Sequence, residues 1–191
     1  MVKHLYIIAG CNGAGKTTAS MTILPKSLLV KEFVNADEIA KGLSPLNPEG
    51  AAIAAGRLML ERIDYLMDRG ESFSIETTLA TRSYINLVHR AQAKEYMVHI
   101  IFFWLHTPQN AIDRVAERVR KGGHNIPTDI IIRRYYAGIR NLFNIFMNAV
   151  DVWTIYDNSV QPRKRIAFGA KGTHTRVNDQ EGFSKLKSYV K

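Results

Sequence analysis

Leu5-Tyr6-Ile7-Ile8-Ala9-Gly10-Cys11-Asn12-Gly13-Ala14-Gly15-Lys16-Thr17-Thr18 begins as an apolar, β-branched run and passes through three glycines into a lysine and two threonines. From Gly10 to Thr17 it matches G-x-x-x-x-G-K-[ST] at every fixed position. Its surroundings suit that pattern, because residues 5–9 predict a strand and 17–24 a helix stopped by Pro25. Glycines permit a tight backbone path whose amides converge on phosphate oxygens, and the following helix adds the positive end of its dipole. Gly10, Asn12, Gly13, Ala14, Gly15, Lys16, Thr17 and Thr18 are therefore candidates to bind a purine nucleoside triphosphate. Lys16 is expected to bridge the β and γ phosphates, and the Thr17 hydroxyl to bind magnesium. Cys11 reads as a spacer in the loop.

Outward from this loop, apolar runs at 28–34, 73–75, 98–105 and 152–156 predict further buried strands. Helices are expected over 51–69 and 84–94, from Pro108 to Arg120, and from Thr128, read as a cap, onward. Strands alternating with helices imply an α/β fold, a three-layer sandwich around a mostly parallel five-stranded sheet. Beyond Gln161, Ile166-Ala167-Phe168 and a turn over 169–172 suggest a small edge hairpin. The 191 residues fit one domain over 1–191, long enough to bury a core without disulfides.

Hydrophobic residues at 46% and charged residues at 23% match soluble globular averages. The longest apolar run, 100–105, is too short to span a bilayer, so no membrane role is expected. Cys11 is the sole cysteine, which excludes an intrachain disulfide and suits a cytoplasmic setting. The formal charge of +9 implies attraction to anions without choosing among them.

Acids follow the second and third strands, in Phe33-Val34-Asn35-Ala36-Asp37 and Phe73-Ser74-Ile75-Glu76-Thr77-Thr78. Ligands of open α/β sheets bind beyond the carboxyl ends of the strands, where the glycine loop also lies. Asp37 is the candidate to orient an acceptor hydroxyl and take its proton, the alternative being an N-cap for a helix over 38–41. Glu76 could hold a second acceptor hydroxyl or a magnesium-bound water. Arg114, Arg118, Arg120, Lys121, Arg133 and Arg134 gather around Gly122-Gly123-His124-Asn125-Ile126-Pro127, a pattern that reads as a helical lid over about 114–134. Arginines delivered by a lid would stabilise the charge of a moving phosphoryl group. Asn158, in Tyr156-Asp157-Asn158-Ser159, can offer a donor and an acceptor to a base edge, or simply form a turn.

Together, the loop over 10–18, Phe33 to Asp37, Ile75-Glu76-Thr77-Thr78-Leu79, Arg118 to His124 with Ile126-Pro127, Arg133-Arg134-Tyr135 and Tyr156 to Ser159 resemble the zeta-toxin-like family of P-loop kinases. The resemblance covers residues 3 to about 160 and implies a nucleoside-kinase-like fold using ATP and Mg2+. It implies that Asp37 is the acceptor-activating base and that Lys16 and lid arginines near Arg118, Arg133 and Arg134 serve the transferred phosphate. Glu76 and Thr78 would lie in a sugar-nucleotide pocket, with His124 beside it. Arg82 is the nearest pocket arginine, two residues beyond the expected position. The best-known members phosphorylate UDP-N-acetylglucosamine, and toxic members have an antitoxin partner. The expected function is transfer of the γ-phosphoryl group of ATP to a small-molecule hydroxyl. A polynucleotide 5'-hydroxyl kinase, favoured by the basic tail around Arg163-Lys164-Arg165, Lys171 and Arg176, is an alternative. So is an ATP-dependent switch or toxin component that acts through a protein partner.

Overall fold

The structure, a computed structural model, describes residues 2–28 and 30–190, the side chains of 23–27 excepted. Strand β1 (Lys3–Gly10) is central, flanked in parallel by β3 (Phe73–Thr77) and β4 (Tyr96–Trp104). β2 (Glu32–Val34) adds to β3 and β5 (Val152–Asp157) to β4, again in parallel. β6 (Lys164–Ala170) and β7 (Arg176–Val177) then continue antiparallel beyond β5. The expected hairpin is thus part of one seven-stranded sheet, ordered β2-β3-β1-β4-β5-β6-β7. The α/β class and the five parallel strands agree with the sequence.

Helices α1 (Lys16–Ser27), α2 (Ala36–Leu43), α3 (Ala52–Asp68), α4 (Tyr84–Ala93), α5 (Pro108–Arg120) and α6 (Thr128–Asn141) fill the crossovers. A π-helical turn, Leu142–Phe146, leads from α6 into a last turn, α7 (Met147–Ala149), and α8 (Gln180–Ser188) follows the hairpin. α1 runs past Pro25 and ends at Ser27, two residues beyond the proline expected to stop it. The second strand is shorter than its apolar run, since Leu28 ends α1 and Leu29 lies outside the described residues. Pro127, rather than Thr128, stands at the cap of α6, and Thr128 is its first helical residue.

Chain direction decides which face each helix covers. The β1-to-β2 crossover runs across the sheet opposite to β3-to-β4 and β4-to-β5, so right-handed connections place α1 on one face and the later crossover helices on the other. The helix-rich face is dry, with Leu5, Ile7, Phe73, Val98, Ile100, Phe102, Trp104, Trp153, Ile155 and Ala167 all buried. On the α1 face, Tyr6 and Ile8 are buried, but toward β7 the rows change character. His99–Val152–Ala170 and Ile101–Thr154–Phe168 pair across β4, β5 and β6, and all six are only partly buried. The third layer is therefore incomplete: α1 backs the β1 side of this face, and beyond β4 it stays half wet.

Candidate active site

β1 delivers the chain to Gly10, and α1 starts at Lys16 after Gly15, which sits at φ +76°. Left-handed backbone favours glycine there, and a Cβ on Gly15 would also lie 2.7 Å from Asn158 Nδ2. Between them the loop closes through Ala14 N donating to Cys11 O at 3.2 Å. Lys16, buried, donates to Cys11 O at 3.0 Å and lies 3.6 Å from Glu76 Oε1. Burial pushes the Cys11 thiol up to about 11, against the pull of Lys16, so this cysteine stays protonated at neutral pH.

Glu76 sits at the end of β3 beside Ile8, on the α1 side of the sheet, and gathers three elements. Thr17 Oγ1 donates to Glu76 Oε2 at 2.8 Å, and Asn35 Nδ2 donates to the same oxygen at 3.0 Å. The other end of the Asn35 amide accepts the Asp37 backbone N–H at 2.8 Å and so caps α2. The capping role thus falls to Asn35, leaving the exposed Asp37 carboxylate without a hydrogen bond or ion pair among the described residues. Sequence reading passed over this bridging role of Asn35; the Asn-x-Asp spacing before a helix was its signal.

Arginines come from the α5–α6 hairpin. Arg114 Nη2 donates to Asn158 O at 2.8 Å, and Arg118 Nη2 to His124 O at 2.7 Å. Arg134 Nη1 reaches Asn12 Oδ1 at 3.4 Å. α6 is moored for this by Tyr135, whose hydroxyl donates to Leu105 O at 2.7 Å and accepts from Trp104 Nε1 at 2.9 Å. Across the cleft mouth, His124 Nδ1 stands 3.6 Å from Glu49 Oε1.

Two clefts open here. One, of about 780 Å³, is lined by the glycine loop, Thr17, Thr18, Arg114, Arg118 and His124. The other, of about 640 Å³, lies between β3, α3 and α4 and includes Thr78 and Tyr84. Asn12, Lys16, Ala36, Asp37, Glu76 and Arg134 line both.

Three expected positions need correction. Arg133 is exposed and lines neither cleft, because Ile131 and Tyr135 turn inward on α6 and carry Arg133 outward. Arg82 is exposed in the turn before α4 and also lines neither. Asn158 is buried and its amide donates to Ala14 O at 2.8 Å, so its contacts brace the glycine loop rather than offer a base edge.

The zeta toxin family profile matches residues 2–163. The chain belongs to the zeta toxin family. Among relatives of this zeta toxin family member, an uncharacterized protein of Haemophilus influenzae is 30% identical over 126 residues, covering 66% of this chain and 88% of that one. Among solved structures, the AvrRxo1-ORF1:AvrRxo1-ORF2 complex superposes with TM-score 0.80 at 15% identity, over 98% of this chain and 64% of the matched chain. This chain thus spans a little under two thirds of that protein, which is also solved with ATP (TM-score 0.78). A structure from the PezAT toxin–antitoxin system of Streptococcus pneumoniae gives TM-score 0.65 at 16% identity, over 100% of this chain and 88% of that one. At these identities the structural likenesses establish the fold, and the profile match establishes the family.

Proposed function

We propose that this protein transfers the γ-phosphoryl group of ATP to a hydroxyl of a small molecule, the donor lying in the first cleft and the acceptor in the second. The observation that carries this reading is the wall common to both clefts, which holds Lys16, Asp37, Glu76 and Arg134. The first cleft has the loop amides, Arg114 and Arg118 for a triphosphate. The second has Thr78, Tyr84 and Asn86 for hydrogen bonds and Met59, Ile63 and Leu87 for apolar contact.

In the reaction, Asp37 accepts the acceptor's hydroxyl proton as that oxygen forms its bond to the γ-phosphorus. The bond from that phosphorus to the β–γ bridging oxygen breaks, ADP departs, and Asp37 returns its proton to solvent. Lys16 and Arg134 hold the charge that spreads over the moving group. Arg118 joins them as residues 114–134 close as a lid, which excludes water and spares ATP from hydrolysis. The Thr17 hydroxyl and the Glu76 carboxylate are hard oxygen donors and fit magnesium, which takes one or two protein oxygens and completes its shell with phosphates and water. When bound, that ion neutralises phosphate charge. Glu76 thereby serves the donor side, Thr78 the acceptor side.

UDP-N-acetylglucosamine is the first acceptor to try, and an antitoxin-like protein that blocks the clefts belongs to the same reading. Cytoplasmic residence would supply ATP. The test is Asp37→Asn: transfer from labelled ATP to an acceptor found in a metabolite pool should fall by about 10²-fold or more, with ATP affinity within a few-fold of the parent. Undiminished transfer in that variant would remove Asp37 as the base and sink this mechanism.

A further inference from the structure

We propose that the half-covered face of β4 to β7 binds single-stranded nucleic acid, at a surface separate from both clefts. Its outer strands lie beyond the zeta toxin match, which ends at residue 163, whereas β6 begins at Lys164. Residues 163–191 contain eight lysines and arginines against Asp179 and Glu181, which leaves +6 of the chain's +9 in its last segment. Of these cations, Arg165 and Arg176 lie on the half-covered face, whereas Lys185 of α8 lies over Trp104 on the other.

The cations are arranged on aromatic rings. Arg165 lies over the Phe168 ring at 4.4 Å and Arg176 approaches the same ring at 6.0 Å, while Arg163 lies over Phe103 at 5.7 Å. Register puts these groups on one face: Tyr156 pairs with Arg165, Thr154 with Phe168, and Phe168 with Arg176. Tyr156 stacks on Phe103 with 23° between the rings. None of the three arginines has a carboxylate within ion-pair reach among the described residues. Arg163 Nη1 is moreover buried with no hydrogen-bond partner. A buried donor left unmade costs about 1–3 kcal/mol, and an anionic oxygen brought to it would recover that cost.

The chemistry selects the ligand. A guanidinium held over a ring, as Arg165 is over Phe168, joins a cation to a π-face, a pairing that a nucleobase can extend by stacking and a carboxylate cannot. Arg165 and Arg176, exposed and without an ion-pair partner among the described residues, are available to phosphates. A single strand brings both groups together, and its bases are free to stack. An acidic peptide would engage the charges and leave the rings unused.

The test uses the full chain without ATP and a fluorescein-labelled oligouridylate, followed by anisotropy over a salt series. Binding should weaken as salt rises, with a log–log slope near −0.7 per phosphate contact. Arg165→Glu with Arg176→Glu should weaken binding at least about tenfold and flatten the slope by about 1.4, two contacts' worth. Phe168→Ala should keep the slope and lose about tenfold through stacking. ATP affinity, unchanged in all variants, reports that each is folded. No binding at low salt, or binding indifferent to both the charge reversals and Phe168→Ala, overturns the proposal. Competition by polyglutamate as strong as by unlabelled oligouridylate also overturns it and assigns the face to an acidic protein.

Discussion

Asn35 uses both ends of one amide, donating to Glu76 and accepting from the Asp37 backbone, and it is 6% exposed. That pairing fixes two carboxylates relative to each other without spending either as a cap. Asn35→Asp keeps the shape and removes the donor, setting a second carboxylate against Glu76 in a buried place where like charges cannot both ionise cheaply. The expected outcome is a loss of about 1–3 kcal/mol in urea unfolding together with at least a tenfold fall in kcat. Stability and turnover equal to the parent would show that the amide is dispensable. The sequence displayed Asp37 and Glu76 because acids after strands are conspicuous, whereas an asparagine that works through contacts 41 residues away in the chain is not. Arg133 and Arg134 show the same limit from the other side. Both are arginines on one predicted helix, and only the packing of Ile131 and Tyr135 decides which faces the clefts.

Elements were legible where local pattern and tertiary demand agree. β1, β4 and β5 appear within a few residues of their apolar runs because both faces or one whole face must be filled. α8 was not anticipated, although Asp179 accepts the Gly182 N–H as a cap and Phe183 and Leu186 are buried. Gly182 lowers helix propensity there, and the cap is visible only once the hairpin places α8 against β6. Asn158 likewise read as a turn or base reader until its distance to Ala14 was known. Helix-to-strand closeness gives a test at this scale. Gly138 of α6 has the Thr78 carbonyl oxygen 2.6 Å from where a Cβ would stand. Alanine is the better helix former by about 1 kcal/mol, but a fixed backbone oxygen cannot yield, and overpacking costs about 1–3 kcal/mol. Gly138→Ala should therefore lower Tm by a few degrees and raise the acceptor KM, since Thr78 lines the second cleft. A raised Tm with an unchanged KM would refute it.

At the scale of the whole molecule, the sheet is asymmetric: one face is buried under helices and the other is closed only near β1. His99 records this on the sparsely covered face. It stacks on Tyr6 at 4.6 Å, meets His4 Nδ1 at 3.0 Å through Nε2, and its pKa is pushed down to about 4, chiefly by burial, next by His4, against an opposing pull from Asp151. An unfolded His99 takes its proton near the ordinary 6.5, so between those values the unfolded chain binds more protons. This contribution to stability is present above about 6.5 and is lost as pH falls toward 4. Thermal melts across that window should show a decline that His99→Gln flattens; parallel profiles would assign the decline to other groups.

The wall common to the two clefts carries a stereochemical consequence. On the proposed reading donor and acceptor meet across Lys16 and Asp37, with Asp37 acting as base and Cys11 protonated in the loop beneath. The group would then pass once, in line, within a ternary complex, and a chiral phosphorus would emerge inverted.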